Sequence, residues 1–269
     1  MANKILQISF IGYGNIAKAI AKSLVKEKNY CLKAAAPSLK IGVDAAKVAT
    51  HNNNLAILTD ADLVILALKP ANMQEVLAEI SPAIPPNCLV ISVATGLNLA
   101  WLKAHLPKDQ PIVRSMPNVA TAVKKGATPL IANEFVTKKQ KNVAARLFKS
   151  SGIITWLEDE ALLDIYTALS GSGPAYIFLF LEEMANAAEK LGLKKDMAKK
   201  FALQTVIGAA ALAQGTKLPF SELRKSVTSK GGTTAAAIKV FHEQNIAEIM
   251  YAAIKAAYIR AQELGEDMS

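Results

Sequence analysis

The stretch Phe10-Ile11-Gly12-Tyr13-Gly14-Asn15-Ile16-Ala17 decides how the first part of the chain folds. It ends an apolar run over residues 5–11 and opens a helical pattern over residues 16–26. Its spacing is that of G-x-G-x-x-G/A, whose glycines allow a tight turn and let the backbone approach a pyrophosphate at the helix N-terminus. A purely structural turn can share this spacing. We expect dinucleotide contacts from Gly12, Tyr13, Gly14, Asn15 and Ile16.

Apolar runs alternate with helical patterns through the first half of the chain. The predicted strands cover residues 5–11, 30–36, 63–68, 88–94 and 111–116, and a further helix covers residues 73–80. The run over residues 63–68 is apolar on both faces, which is typical of a central parallel strand. The alternation predicts an α/β Rossmann-type domain, doubly wound, over residues 1–158.

Alanine-rich helical patterns replace the strands in the second part of the chain. The predicted helices cover residues 160–169, 174–191, 195–214, 233–241 and 246–264, and they predict an all-α domain over residues 159–269. Residues 176–181 are six consecutive large apolar side chains, which point in every direction on a helix. A domain of roughly 110 residues is small for enclosing such a helix, so we expect a second subunit to cover it. The alternative is a helix at the centre of its own domain.

Composition and charge narrow the class of protein. Hydrophobic residues make up 52% and charged residues 20% of the 269 residues, as in a globular protein, and no apolar run reaches the roughly 18 residues of a membrane helix. The net charge of +9 allows a nucleic-acid partner, but the lysines are not interleaved with aromatic residues, so we expect neither nucleic acid nor membrane as partner. Two cysteines, Cys31 and Cys88, and a start without a signal-peptide pattern favour the cytoplasm.

The end of the second predicted strand bears on the choice of dinucleotide. NAD-binding domains usually carry an acid there, whereas this chain reads Ala36-Pro37-Ser38-Leu39-Lys40. We expect cofactor contacts from Ala36 and Ser38 here. Ser38 and Lys40 could bind a 2′-phosphate, so NADP is favoured, with NAD as second choice; alternatively Lys40 is simply solvated. Because ligands bind beyond the carboxyl ends of parallel strands, we also expect cofactor contacts at two further strand ends. These are Ala67, Leu68, Lys69 and Pro70, and then Thr95 and Gly96.

Five blocks of the sequence together resemble the pyrroline-5-carboxylate reductase family, in the family's order and over nearly the whole chain. The blocks are the glycine loop, Leu66-Ala67-Leu68-Lys69-Pro70, Arg114-Ser115-Met116-Pro117-Asn118, Leu169-Ser170-Gly171-Ser172-Gly173-Pro174-Ala175-Tyr176 and Val227-Thr228-Ser229-Lys230-Gly231-Gly232-Thr233-Thr234. The chain departs from the family at Lys230, where proline is usual, and at Val119-Ala120, which replaces Thr-Pro.

The resemblance implies a reaction and an assembly. It implies that NADPH reduces 1-pyrroline-5-carboxylate to L-proline, the last step of proline synthesis, by hydride transfer to the cyclic imine. It also implies that the all-α domain over residues 159–269 is a substrate-binding and dimerisation domain, in a homodimer or a larger assembly of dimers. Two alternatives stay open at this point. One is a related NADP-dependent dehydrogenase acting on a 3-hydroxy acid or another imine, and the other is a nucleotide-binding protein without enzymatic activity.

The fifth block is the predicted substrate site. Two glycines before a helix leave backbone N–H groups free for a carboxylate, so we expect contacts from Gly231, Gly232 and Thr233, although an ordinary capped turn has the same pattern. The resemblance implies that the Thr234 hydroxyl binds the ring nitrogen, as the catalytic contact, and that Glu160 lies close to the substrate. Ser229 is a further candidate donor. The resemblance also puts Asn54 at the adenosine phosphate.

Metal catalysis is not expected. His242-Glu243 begins like the zinc motif H-E-x-x-H, but Ile246 stands where the second histidine would be. The other histidines, His51 and His105, are far apart in the sequence.

Overall fold

The structure is a computed structural model that describes residues 5–25 and 29–266. It contains two compact units, one formed by residues 1–172 and 257–269 and the other by residues 173–256. The predicted division at residue 158 into a nucleotide-binding and a helical domain remains a prediction about domain organisation. Lys26, the predicted end of the first helix, lies outside the described residues, as do residues 1–4 and 267–269 of the two predicted domains.

A nine-stranded sheet forms the centre of the first unit. Its strands are β1 (Leu6–Ile11), β2 (Tyr30–Ala35), β3 (Gly42–Val43), β4 (Ala49–His51), β5 (Leu63–Leu66), β6 (Leu89–Ser92), β7 (Ile112–Ser115), β8 (Gly126–Ala132) and β9 (Gly152–Trp156). Their order is β3-β4-β2-β1-β5-β6-β7-β8-β9. The pairs from β4 to β7 are all parallel, and β8 runs antiparallel to β7. The chain winds outward in both directions from β1, which confirms the predicted Rossmann-type sheet and sets its switch point between β1 and β5.

Helices cover both faces of this sheet. They are α1 (Asn15–Leu24), α2 (Met73–Ile80), α3 (Leu99–His105), α4 (Lys138–Lys149) and α5 (Leu162–Tyr166), which continues into a π-helical turn at Thr167–Gly171. One buried cluster joins Ile65 of β5 to Ile20 of α1 and Phe148 of α4. The other joins Leu66 of β5 to Leu77 of α2 and Leu102 of α3. Neighbouring residues of β5 therefore serve opposite cores, as its continuous apolar run predicts.

The second unit is helical. Its elements are α6 (Gly173–Lys190), α7 (Lys195–Gln214), α8 (Phe220–Ser226), α9 (Thr233–Glu243) and the first part of α10 (Ile246–Glu266). No residue of α6 is buried, and Phe178 is 63% exposed. The α6 helix is therefore not the enclosed centre of its own domain. No helix within the described residues is long and apolar enough to span a membrane.

The observed elements confirm some predicted bounds and correct others. The helices predicted over residues 73–80 and 195–214 have the predicted bounds. The helix predicted over residues 160–169 is shorter and gives way to the π-helical turn, where the hydroxyl groups of Thr167 and Ser170 donate to the carbonyl oxygens of Leu163 and Tyr166. Hydrogen bonds from these side chains to carbonyl groups four residues earlier compete with the backbone hydrogen bonds of a regular α-helix. The sequence patterns missed β3, β4, β8, β9, α3, α4 and α8.

Candidate active site

The glycine loop lies against the end of β5. Gly12 has φ +82°, and a Cβ on it would lie 2.6 Å from the carbonyl oxygen of Ala67. Backbone hydrogen bonds join the same strand ends, from Gly12 N to Ala35 O at 2.9 Å and from Ala67 N to Ile11 O at 2.8 Å. Three groups of predicted cofactor contacts therefore meet at one edge of the sheet, namely residues 12–16, Ala36 and residues 67–70.

The N-terminus of α1 is open. Gly14 precedes the helix with extended backbone, and no atom of the described residues, its two chain neighbours aside, lies within 4 Å of a Cβ built on it. No side chain in the described part of the chain caps this helix, and its first turn, with Asn15 and Ile16, contains no acidic residue. Free N–H groups and unobstructed space in front of them fit a pyrophosphate.

Tyr13 connects the glycine loop to the segment between β3 and β4. Its hydroxyl donates to Asp44 Oδ2 at 2.9 Å, and burial, together with the Asp44 carboxylate, raises the pKa of Tyr13 well above its usual value. Asp44 Oδ1 in turn accepts from the backbone N–H groups of Ala46 and Val48. The Tyr13 hydroxyl is thus engaged in a hydrogen bond with Asp44. The predicted contact of Tyr13 with a cofactor would therefore be made by the backbone or the ring of this residue.

The segment after β2 is an exposed turn that carries a cation. Leu39 N donates to Ala36 O at 2.9 Å, and the Thr50 hydroxyl donates to Lys40 O at 2.7 Å. Ser38 and Lys40 are exposed on this turn. Their hydroxyl and ammonium groups suit a phosphate, whereas a carboxylate there would repel it.

Asn54 lies beyond this turn, at the start of a short 3₁₀ segment, Leu55–Ile57. Its side-chain Nδ2 donates to Glu79 Oε2 at 3.0 Å. The predicted contact of Asn54 with the adenosine phosphate remains a prediction.

The loop between β6 and α3 is packed on two sides. Gly96 has φ +85°, and a Cβ on it would lie 2.7 Å from the carbonyl oxygen of Leu264 in the last turn of α10. The hydroxyl of Thr95 lies 3.7 Å from the sulfur of Met116. Thr95 and Gly96 therefore belong to a fixed loop at the same edge of the sheet as the glycine loop.

Glu160 makes contacts that the sequence did not reveal. Its Oε1 lies 2.9 Å from Arg114 Nη1 and accepts from the backbone N–H of Leu99 at 2.8 Å. Arg114 is 5% exposed, and its Nη2 lies 3.7 Å from Asp164. Burial and the neighbouring Glu160 raise the pKa of Asp164, although Arg114 acts to lower it. The signal available in the sequence was a charged side chain within the otherwise uncharged strand over residues 112–115.

The glycine–threonine block lies in the second unit, where it forms the N-terminus of α9. Gly232 N donates to Ser229 O at 3.1 Å, and a side chain on Gly232 would collide with the hydroxyl of Ser229. Among the residues that the structure describes, no side chain caps α9, and Thr233 and Thr234 are its first two residues. This helix end can accept an anion in the same way as that of α1. The predicted cofactor contacts and Glu160 are in the first unit, and Ser229, Gly231, Gly232, Thr233 and Thr234 are in the second.

Comparison with known proteins identifies the family. Residues 160–264 match the family model described as pyrroline-5-carboxylate reductase dimerisation, and residues 7–96 match the model described as NADP oxidoreductase coenzyme F420-dependent. The chain is 38% identical to a pyrroline-5-carboxylate reductase from Pseudomonas aeruginosa, over 97% of this chain and 98% of that protein. The chain belongs to the pyrroline-5-carboxylate reductase family.

Solved structures of pyrroline-5-carboxylate reductases share the fold. The enzyme from Coxiella burnetii is similar with a TM-score of 0.88 and 39% identity, covering 97% of this chain and 99% of that one. The enzyme from Plasmodium falciparum, solved with NADP bound, has a TM-score of 0.87 and 28% identity, covering 97% of this chain and 98% of that one. The predicted family and fold class of this reductase are therefore confirmed, while the roles of its individual site residues remain predictions.

Proposed function

We propose that this chain reduces 1-pyrroline-5-carboxylate to L-proline with NADPH, the last step of proline biosynthesis. The observation that carries the proposal is the match to proteins named pyrroline-5-carboxylate reductase, which spans both compact units. Each unit supplies one open helix N-terminus, at α1 and at α9. Two anion sites suit this reaction, because the dinucleotide and the substrate both carry negative charge.

The first unit binds the dinucleotide in this proposal. The α1 N-terminus receives the pyrophosphate, and the residues after β5 and β6 line the remainder of the cofactor. The turn with Ser38 and Lys40 favours NADP over NAD, because it offers a hydroxyl and a cation where NAD-specific domains carry an acid. Bound NADPH would supply the hydride, and the protein would hold the imine carbon in reach of it.

The second unit binds the substrate in this proposal. Backbone N–H groups of Gly231, Gly232 and Thr233 would hold the carboxylate, with Ser229 as a further donor. The Thr234 hydroxyl would accept a hydrogen bond from the protonated ring nitrogen. A protonated imine is already electrophilic, and a threonine hydroxyl is too weak a base to remove a proton at neutral pH. Thr234 therefore positions the substrate and does not exchange a proton with it.

The active form in this proposal is a homodimer or an assembly of dimers. An apolar groove of about 260 Å³ lies between α6 and the first part of α10, lined by Tyr176, Leu179, Phe180, Ile249 and Met250 among others. The exposed side chains of α6 adjoin it. Exposed apolar surface of this kind is typical of an interface between subunits. The family model that matches residues 160–264 is described as a dimerisation region and supports the same assembly.

A cytoplasmic location completes the proposal. Cys31 on β2 and Cys88 beside β6 are both free thiols, and three strand spacings, about 14 Å, separate β2 from β6. A disulfide needs Cα atoms within about 7 Å, so these two cysteines suit a reducing compartment.

The test is turnover by the purified chain. We expect NADPH to be consumed with 1-pyrroline-5-carboxylate and L-proline to appear as the product. A panel of 3-hydroxy acids with NADP and of other cyclic imines with NADPH serves as the comparison. Activity on a hydroxy acid without activity on 1-pyrroline-5-carboxylate would replace the proposal with the related dehydrogenase.

The role of Thr234 has its own variants. Thr234→Ala is expected to lower kcat/KM by about 10- to 100-fold, as for a lost hydrogen bond to a charged group, whereas Thr234→Ser retains most of the activity. The matched control is Thr205→Ala, which removes an exposed threonine hydroxyl that bonds only within α7. Unchanged turnover in Thr234→Ala would contradict the contact with the ring nitrogen.

A further inference from the structure

Arg114 is a buried cation at the end of a central strand. All four residues of β7 are buried, and Arg114 is 5% exposed. Within the described residues its Nε has no hydrogen-bond partner, whereas its Nη1 meets Glu160 at 2.9 Å. A buried guanidinium is costly unless it is paired, and here Glu160 is the nearer of two acidic partners, the other being Asp164 at 3.7 Å from Nη2.

The same oxygen of Glu160 also fixes the start of α3. Leu99, the first residue of α3, donates its backbone N–H to Glu160 Oε1 at 2.8 Å, while Asn98 caps the helix by accepting from Trp101 N at 2.7 Å. A carboxylate at a helix N-terminus is stabilised by the helix dipole. Glu160 therefore joins the end of β7 to the start of α3, and so holds the residue that directly follows the loop between β6 and α3.

The first residue of this loop, Thr95, is in contact with the residue that directly follows β7. Thr95 contacts the sulfur of Met116, which stands two residues after Arg114, at 3.7 Å. The loop over residues 95–98 thus contacts Met116 at its first residue, and the residue after its last one bonds Glu160. Both contacts depend on the position of β7, because Met116 directly follows this strand and Glu160 is paired with Arg114 in it. Loops after the strands of such a sheet receive the dinucleotide.

We propose that Glu160 is a positioning residue for the cofactor site: through Arg114 and Leu99 it holds the 95–98 loop in the conformation that binds NADPH. This inference rests on the proposed function and gives Glu160 a role at the cofactor site within it. Its Oε1 bonds both Arg114 Nη1 and the backbone N–H of Leu99, so one oxygen connects the buried strand to the helix that follows the loop. We therefore expect loss of this oxygen's charge to weaken the cofactor site.

The experiment separates cofactor binding from substrate binding. Glu160→Gln, Arg114→Lys and the double variant are compared with the wild type by fluorescence titration with NADPH alone, by the KM for 1-pyrroline-5-carboxylate at saturating NADPH, and by urea unfolding. The matched control is Glu158→Gln, which neutralises an exposed carboxylate two residues away. Glu160→Gln keeps an acceptor for Leu99 and is nearly isosteric, so folding is preserved while the charge on Arg114's partner is lost.

The expected result is a rise of about tenfold in the NADPH Kd of Glu160→Gln, as for one lost charge-assisted hydrogen bond, with the KM for the imine unchanged. Arg114→Lys acts on the same pair, so the double variant should be less affected than the product of the two single effects. A raised KM for the imine with an unchanged NADPH Kd would overturn the proposal, and so would a change in unfolding alone. Failure of the wild type to bind NADPH would instead overturn the proposed function.

Discussion

The carbonyl oxygen of Leu264 lies 2.7 Å from the position that a Cβ on Gly96 would occupy. The approach is mutual, because a Cβ on Gly265 would lie 3.0 Å from the carbonyl oxygen of Gly96. Gly265 lies within α10, where glycine is otherwise unfavourable by about 1 kcal/mol relative to alanine. The last turn of α10 and the 95–98 loop therefore pack backbone to backbone: a side chain on Gly96 would collide with Leu264, and one on Gly265 would make a tight contact with Gly96.

Gly96→Ala should destabilise the fold and weaken NADPH binding together. Alanine at φ +85° is strained, and its methyl group would enter the space of Leu264. We expect the free energy of unfolding to fall by about 1–3 kcal/mol, measured by urea denaturation, and the NADPH Kd to rise. An unchanged unfolding midpoint would show that the loop and α10 are not in contact.

Gly14→Ala should weaken NADPH binding with little effect on the stability of the fold. Its backbone conformation suits alanine, and the added methyl group meets no atom of the described residues within 4 Å apart from its two chain neighbours, so the free energy of unfolding should change by less than about 1 kcal/mol. The methyl group would project into the space before the α1 N–H groups, where the pyrophosphate is proposed to bind. We expect at least about a tenfold rise in the NADPH Kd by fluorescence titration. Wild-type affinity in this variant would mean that the pyrophosphate lies elsewhere.

Phe178→Glu should disrupt the assembly. Phe178 is 63% exposed on α6, and a carboxylate there would have to be desolvated when a second copy covers the helix, at a cost of several kcal/mol. Light scattering coupled to size exclusion should show a shift toward the monomer. Ile153→Glu is the control, because Ile153 is 74% exposed on β9 in the first unit. If the two variants keep the same mass as the wild type, α6 is not at the interface.

The two cysteines should react at very different rates. Burial raises the pKa of the Cys88 thiol to about 12, with the charge of Asp62 adding to the effect, whereas Cys31 is only partly buried. At pH 8 a thiol reagent should label Cys31 in the native protein and both cysteines after unfolding, and Cys31→Ser should leave the native protein unlabelled. Rapid native labelling of Cys31→Ser would contradict the burial of Cys88.

The raised pKa of the Cys88 thiol predicts that the free energy of unfolding falls as the pH rises above the pKa of an unfolded cysteine. Above about pH 8.5 the unfolded chain releases the Cys88 proton while the folded chain keeps it. The folded pKa is raised, so this contribution to stability is complete below the unfolded pKa and is lost as the pH rises toward about 12. The unfolding free energy of Cys88→Ala should vary less over this range.

Strands that are apolar on both faces were predictable, and strands that break the usual rules were not. The runs at β5 and β6 have no polar face, so period and length identify them. Pro129 interrupts the pattern of β8, although its carbonyl oxygen still accepts from Met116 N at 3.2 Å. A proline normally argues against a central strand, yet β8 pairs with both β7 and β9, so the usual rule points away from this strand.

The positions of the two helix N-termini in the candidate site were predictable, because each is formed by one short segment of consecutive residues. The glycine loop and the α9 N-terminus each depend on consecutive residues, so spacing alone locates them. The pairing of Arg114 with Glu160 joins residues 46 positions apart, and no local period links them. The strand over residues 112–115 did carry a hint, since an arginine in a buried strand requires an acid, but the sequence does not say which one.

The bare surface of α6 has a consequence for how this protein exists at low abundance. If partner copies supply the cover that the chain lacks, mass action makes the folded population depend on how many chains are present. Dilution would then lower the temperature at which the protein melts, and a newly made chain without a companion would be the most vulnerable to aggregation. The apparent stability of this reductase would therefore depend on its expression level.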